Sequence, residues 1–209
     1  MNRIITISRE FGSGGRTIAK MAGEKLGIPV LDYEILAKIA KESGFAENYI
    51  EERAENTSIS HIISRGLSGL GSYGAASAED LLWQAQVKVI EEIAAKENCI
   101  IVGRCADFIL RDKADLCRVF IYADKETRAH RIVNVYGDNT KKDPMTRLKE
   151  KDKRRSAFYN YQTDLKWGDP HNYQICLNSG EIGFEPCVEI ICALYYRNAK
   201  NDPTGSGKF

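Results

Sequence analysis

The sequence predicts an α/β fold, a five-stranded, mostly parallel sheet with helices on both faces, and three observations lead there. Five short β-branched runs are spaced along 209 residues, helical periodicities fill the gaps between them, and the first run passes through a glycine-rich turn directly into a helix. With 43% hydrophobic and 28% charged residues the composition suits one globular domain with a sizeable core.

Arg3 to Ser8 reads as the first buried strand, and residues 15–26 carry helical spacing after it. Pro29 to Asp32 is the second strand and 34–42 the second helix. The alternation then breaks at 64–78, a Gly/Ser-rich stretch expected to be an insertion between helices. In 78–96 the apolar set Leu82, Ala85, Val89 and Ile93 recurs every three to four residues, which predicts a helix. Cys99 to Gly103, Leu116 to Tyr122 and Tyr173 to Leu177 complete the strands; 136–172 is charged and aromatic without a strand signal. Arg197 to Phe209 is polar and expected to fray, which gives one domain over 1–196 and a disordered tail over 197–209.

Bulk charge excludes a partner class. Lys+Arg 30 against Asp+Glu 29 gives a net charge of +1, so no nucleic acid polymer is expected and any anion site must be local. None of the six cysteines forms a C-x-x-C pair or a ligand cluster with the three histidines, which argues against structural zinc. No signal-peptide core follows Met1, and no apolar stretch approaches the roughly 20 residues that span a bilayer. A reducing cytoplasm and no membrane partner are expected; the oligomeric state stays open.

The chemistry gathers first at Gly12-Ser13-Gly14-Gly15-Arg16-Thr17. Strand, glycine loop and helix in that order form a phosphate cradle: glycines let backbone N–H groups turn around an anion, and the helix N-terminus adds partial positive charge. The hydroxyl of Thr17 is placed to ligate Mg²⁺. This is a Walker A loop with two departures, Glu10 in place of the first glycine and Arg16 in place of lysine. A dinucleotide fingerprint fits less well, because Gly12-x-Gly14 lacks the third glycine at its offset.

Four landmarks in order then make the chain resemble the cytidylate kinase-like family over roughly residues 3–195: the loop 12–17, Leu31-Asp32-Tyr33, Val102-Gly103-Arg104, and the arginine-rich segment around 147–155. The resemblance implies a P-loop NTPase-type fold with an acceptor-binding helical region over about 33–80 and a helical, arginine-rich lid over about 136–172. Asp32 is the strand-end acid that leads into the monophosphate helix; its alternative is a plain helix cap. Gly103 and Arg104 match the Gly-Arg that grips the acceptor phosphate, with a surface salt bridge the alternative for Arg104. Val102 and Cys105 stand where cytidylate kinases have acids, and Asp107 is expected to take over one polar contact. Arg128 and Arg131, three apart on one helical face, are expected to meet the donor nucleotide or else to be solvated.

Lys141 to Arg155 holds eight basic residues against three acidic. Arg147, Lys151, Arg154 and Arg155 fall at i, i+4, i+7 and i+8 on one helix face, and by the resemblance they form the lid; a solvated amphipathic helix is the alternative. The implied activity is a kinase moving the γ-phosphoryl group of ATP, with Mg²⁺, to a nucleoside monophosphate such as CMP or dCMP. Arg16, Arg104, Arg154 and Arg155 are the expected catalytic set, and small nucleotides the expected partners. Two other readings stand beside it: a P-loop kinase of another small metabolite, and a nucleotide sensor without turnover.

Overall fold

The structure is a computed structural model and describes residues 2–32, 34–44, 78–137 and 142–197. The Gly/Ser-rich stretch up to residue 77, Tyr33, Lys141 and the tail from 198 lie outside the described residues.

Five parallel strands form one sheet in the order β2-β3-β1-β4-β5, with β1 Arg3–Arg9, β2 Val30–Leu31, β3 Cys99–Val102, β4 Asp115–Tyr122 and β5 Ile175–Asn178. In β1, Ile4 pairs with Cys99 on one side and with Leu116 on the other. From β1 the chain runs to the β2/β3 side and then crosses to the β4/β5 side. The carboxyl end of β1 is therefore the switch point, where a ligand crevice opens in such sheets.

Alternation in the central strands separates two cores. Ile4, Cys99, Ile101 and Leu116 face α2 (Glu34–Ser43) and α3 (Ala78–Lys96), packing on Ile39, Ile90 and Ile93. Ile5, Ile7, Ile100, Val102, Val119 and Ile121 face the opposite way, against α1 (Gly15–Leu26) and α8 (Phe184–Arg197). Five of the six cysteines, Cys99, Cys105, Cys117, Cys187 and Cys192, serve these cores as small hydrophobes; all six are unpaired, and burial pushes the Cys99 thiol up to about 12 and Cys117 up to about 11.

The expected elements recur with small differences of physical origin. β2 is two residues long, since Pro29 has no N–H to give the ladder, although its carbonyl accepts from Ile100 N at 2.9 Å. β5 starts two residues late because Pro170–Asn172 forms a 3₁₀ turn before it. Two short helices, α4 (Ala106–Ile109) and α7 (Ser179–Ile182), and the longer α8 are not foreseen by the sequence reading, while the helix expected to carry Arg128 and Arg131 is α5 (Lys125–His130), which runs on into a π-turn over Arg131–Val135. The charged stretch holds α6 (Pro144–Thr163), whose Asp143 cap accepts from Thr146 N at 2.8 Å. Among the described residues no helix is long and apolar enough to cross a membrane.

Gly23 marks where α1 crosses β2. A Cβ there would collide with Val30 Cγ2 and lie 3.0 Å from the Ile28 carbonyl oxygen. Glycine to alanine inside a helix ordinarily gains about 1 kcal/mol. Here the sign should reverse: Gly23→Ala should lose roughly 1–3 kcal/mol in urea unfolding through overpacking, and Val30→Ala in the same chain should recover part of it. A more stable single variant would show that α1 can move off β2.

Candidate active site

The glycine loop has a defined shape. Gly12 and Gly14 sit at φ +80 and +83, a left-handed backbone that favours glycine. Neither position has room for a side chain, because a Cβ on Gly12 would lie 2.8 Å from the Arg128 carbonyl oxygen and one on Gly14 would enter the Phe184 ring. Gly14 caps α1 without a side-chain hydrogen bond, and no acid stands in the first turn. The helix thus presents its positive end uncompensated, which suits an anion. Over it opens a cleft of about 480 Å³, floored by loop glycines and Thr17 and walled by Arg9, Arg16, Lys20, Lys151 and Arg155. Ser13 is fully buried, and its hydroxyl turns back to donate to the Glu10 carbonyl at 2.9 Å. It supports the loop from beneath.

Glu10 points away from the cradle. Its Oε2 accepts from Ala123 N at 3.3 Å and lies 3.3 Å from Arg128 Nε. Arg128, expected at the donor nucleotide, is instead 4% exposed and engaged inside the protein. Its Nη1 donates to Asp152 Oδ2 at 2.5 Å and to the Phe11 carbonyl at 3.2 Å, while Asp152 Oδ1 accepts from Phe11 N at 2.7 Å. Arg131 is likewise turned inward, donating to the Ser13 carbonyl at 3.2 Å and to the Ser179 carbonyl at 2.8 Å, with its guanidinium over the Phe184 ring. These two arginines hold the loop from outside.

Asp32 is buried at the end of β2, and Arg16 Nε meets its Oδ2 at 2.5 Å. The loop's cation and the second strand's acid are thereby joined, although Asp32 itself lines neither cleft. Arg9 Nη2 approaches the other carboxylate oxygen at 3.9 Å.

Beyond β3 three consecutive residues are left-handed: Gly103 at φ +77, Arg104 at +59 and Cys105 at +53. A non-glycine residue in this region is strained by roughly 1–2 kcal/mol, and such strain collects at functional sites. Neighbours hold it: Gly103 N donates to the Ile7 carbonyl at 3.0 Å and Gln86 Nε2 to the Arg104 carbonyl at 3.0 Å. The turn brings Arg104 to a second, narrower cleft beside the first, which Arg9, Arg155, Phe158, Tyr159 and Trp167 also line. Asp107 does not reach it. Buried at 4% exposure, it accepts from Tyr159 Oη at 2.7 Å, and burial raises its carboxyl above the ordinary aspartate value against that hydrogen bond. Its contact is with the ring that lines the cleft.

On α6 the basic face divides. Lys151 and Arg155 line the large cleft, and Arg147 and Arg155 lie over the Phe11 ring at 5.8 and 5.7 Å. Arg154 is exposed and lines neither cleft. The phase of the helix decides this, because Leu148, Tyr159 and Thr163 are its buried residues and turn 147, 151 and 155 toward the loop. The sequence reading missed Arg9, Asp152 and the aromatic wall. A strand-end arginine beside the loop was a usable signal for Arg9, and Leu148 with Tyr159 would have set the helix phase.

Two outcomes follow from the Arg128 cluster. Arg128→Ala should destabilise the fold by about 3–5 kcal/mol, since it strands two partly buried carboxylates, whereas Arg154→Ala should shift stability by less than about 0.5 kcal/mol; urea titration compares them. The Glu10 carboxyl is raised above its ordinary 4.5, burial outweighing Arg128 and the Ala123 amide. A raised carboxyl makes the folded state hold more protons than the unfolded one, so stability falls as pH climbs from 4.5. The parent should therefore lose stability relative to Glu10→Gln over that climb, and a gap of constant size in denaturation at several pH values would refute the burial account.

Comparison with known proteins agrees with this geometry. The model of the cytidylate kinase-like family matches residues 4–181. A cytidylate kinase of Archaeoglobus fulgidus is 32% identical over 192 residues, covering 90% of this chain and 91% of the relative. A solved, uncharacterized protein from Eubacterium ventriosum superposes with a TM-score of 0.70 at 28% identity, over 93% of this chain and 99% of its own. A gluconokinase from Sinorhizobium meliloti (TM-score 0.56, 16% identity, 94% of this chain and 93% of its own) shares the fold, as does a shikimate kinase from Acinetobacter baumannii (0.53, 14%, 95% and 94%). A five-stranded parallel P-loop kinase fold, a glycine cradle at the switch point and a family match over most of the length lead to one conclusion: this chain is a phosphotransferase of the kinase type and belongs to the cytidylate kinase-like family.

Proposed function

We propose that the chain moves the γ-phosphoryl group of ATP to a nucleoside monophosphate, with CMP and dCMP the first acceptors to test. The observation that carries this reading is the adjacency of two clefts, one over the glycine loop and one at Arg104, with Arg9 and Arg155 common to both walls. The name of the Archaeoglobus relative supports the acceptor class. In this reading the amides of 12–17 and Arg16 hold the donor phosphates, Arg104 grips the acceptor phosphate, and α6 is the lid that brings Lys151 and Arg155 over the loop. Six unpaired cysteines support a reducing, cytoplasmic setting.

An oxygen of the acceptor phosphate attacks the γ-phosphorus. The new P–O bond forms as the bond to the β,γ-bridging oxygen breaks, and that electron pair leaves on ADP. An acceptor already ionised at neutral pH needs no general base, so the protein contributes position and charge. Mg²⁺, when bound with the nucleotide, neutralises charge on the donor phosphates. The residues fit it: Thr17 lines the cleft, and among the described residues no cluster of three or more His, Cys, Asp or Glu forms a protein cage. Phosphates and water would then supply most of its ligands, as is usual for this ion.

One observation favours a second acceptor class. Among the described residues the Arg104 cleft is lined by cations and aromatic rings with no carboxylate, so an amine-bearing base finds no acidic partner there. Another small phosphorylated metabolite is the reading that follows. ADP release should be followed with CMP, dCMP, UMP and AMP beside non-nucleotide phosphates and hydroxy acids. Turnover with a nucleoside monophosphate is expected; ATP binding with no ADP release from any acceptor would mean a sensor.

The clefts also divide kinetic roles. Arg155→Ala should depress kcat by ~10²-fold, about 2.7 kcal/mol of transition-state stabilisation. Arg104→Ala should act mainly by raising the acceptor KM, as expected of a group that grips the same phosphate in ground and transition states. Equal kcat in the parent and Arg155→Ala would remove α6 from the reaction.

A further inference from the structure

Arg9 is placed by two glycines. A Cβ on Gly15 would lie 2.6 Å from Arg9 Cβ, and one on Gly103 would strike the guanidinium itself. The side chain therefore crosses the end of β3 along a path that a larger residue at either position would block. It is largely withdrawn from water, 14% exposed, and its Nη2 lies 3.9 Å from Asp32 Oδ1. Arg155 Nη1 donates to the Arg9 carbonyl at 3.1 Å, so backbone and guanidinium are both fixed. Arg16, the loop's own cation, is bound more tightly to the same acid at 2.5 Å and is 45% exposed.

Arg9 and Arg155 alone among the described residues line both clefts. Of the two, Arg9 belongs to the rigid sheet, while Arg155 rides on α6. We propose that Arg9 is a catalytic residue whose guanidinium binds the phosphoryl group in transit between the loop cleft and the Arg104 cleft, steered by Asp32. This rests on the phosphoryl-transfer reading above and assigns the charge at its centre. As the acceptor oxygen bonds to phosphorus and the bridging oxygen departs with its electron pair on ADP, negative charge spreads over the equatorial oxygens between the two clefts. A preorganised planar donor at that point is stronger toward the transition state than toward either bound nucleotide.

The test compares the full-length parent with Arg9→Ala and Arg9→Lys, using Mg·ADP and CMP, with and without aluminium fluoride as a mimic of the transferring group. Calorimetry reads affinity, ADP release reads kcat, and melting curves report folding. In the parent, fluoride should tighten Mg·ADP. In Arg9→Ala that gain should fall at least tenfold and kcat at least 100-fold, while affinity for Mg·ADP alone stays within threefold. Arg9→Lys should recover part of kcat, since it restores charge without the fork, and it carries the comparison if the alanine variant does not fold. A fluoride gain retained without Arg9, or a loss of Mg·ADP affinity as large as the loss of kcat, overturns the assignment. A parent with neither fluoride gain nor turnover on any acceptor instead sinks the phosphoryl-transfer reading and this inference with it.

Discussion

The site depends on one guanidinium removed from water. Arg128 joins Glu10 at the end of β1, the Phe11 carbonyl in the loop and Asp152 on α6, and Asp152 in turn accepts the Phe11 amide. A buried cation with poor partners would be costly, and this one is met from three elements. Because its partners include backbone, it fixes a path as well as a charge balance. The departure at Glu10 from the usual glycine loop acquires a reason here: the carboxylate belongs to the scaffold behind the loop, and the anion-facing side keeps its glycines. Phe11, pinned at N and O, offers its ring to Arg147 and Arg155.

On the acceptor side local strain has the same part. Three left-handed residues in succession are unfavourable, yet β3 ends in fully buried Ile101 and Val102, and hydrogen bonds to Ile7 and from Gln86 hold the turn. What the strain gives is direction: a strand that continued would have passed beneath the rim, and the turn instead presents Arg104 and leaves Gly103 clear for Arg9. Below it, Tyr159 bonded to buried Asp107 ties the wall of the small cleft to α4.

Much of this was legible in the sequence because it rests on patterns the chain must repeat. Helix α1 runs over 15–26 as its spacing predicts, between a glycine turn and Gly27. Strand alternation and the glycine loop gave sheet and cradle. What stayed hidden depends on tertiary phase. Arg128 and Arg131, expected to meet the donor nucleotide or else to be solvated, turn inward to Asp152, Ser179 and the backbone of the loop. Asp152, set among lysines, looks like a surface charge. Arg154 and Arg155 are neighbours in a charged run, and contacts at Leu148 and Tyr159 decide which of them faces the loop. Asp107 lies three residues from Arg104 in the sequence; a one-turn helix carries it under the cleft.

The strand order has a consequence for the protein's birth. β1, the central strand, is made early, but its partners lie far along the chain: Ile4 meets Cys99 and Leu116. A ribosome adding roughly 5–20 residues per second keeps that strand waiting on the order of ten seconds for its neighbours. Throughout, Ile4, Ile5 and Ile7 are a bare β-prone segment on a nascent chain. Long-range parallel pairing closes slowly, so the same centrality that puts the phosphate loop at the switch point leaves both edges of β1 open until β3 and β4 have been made. A sheet built from its middle therefore exposes its central strand for longer than one built from an edge.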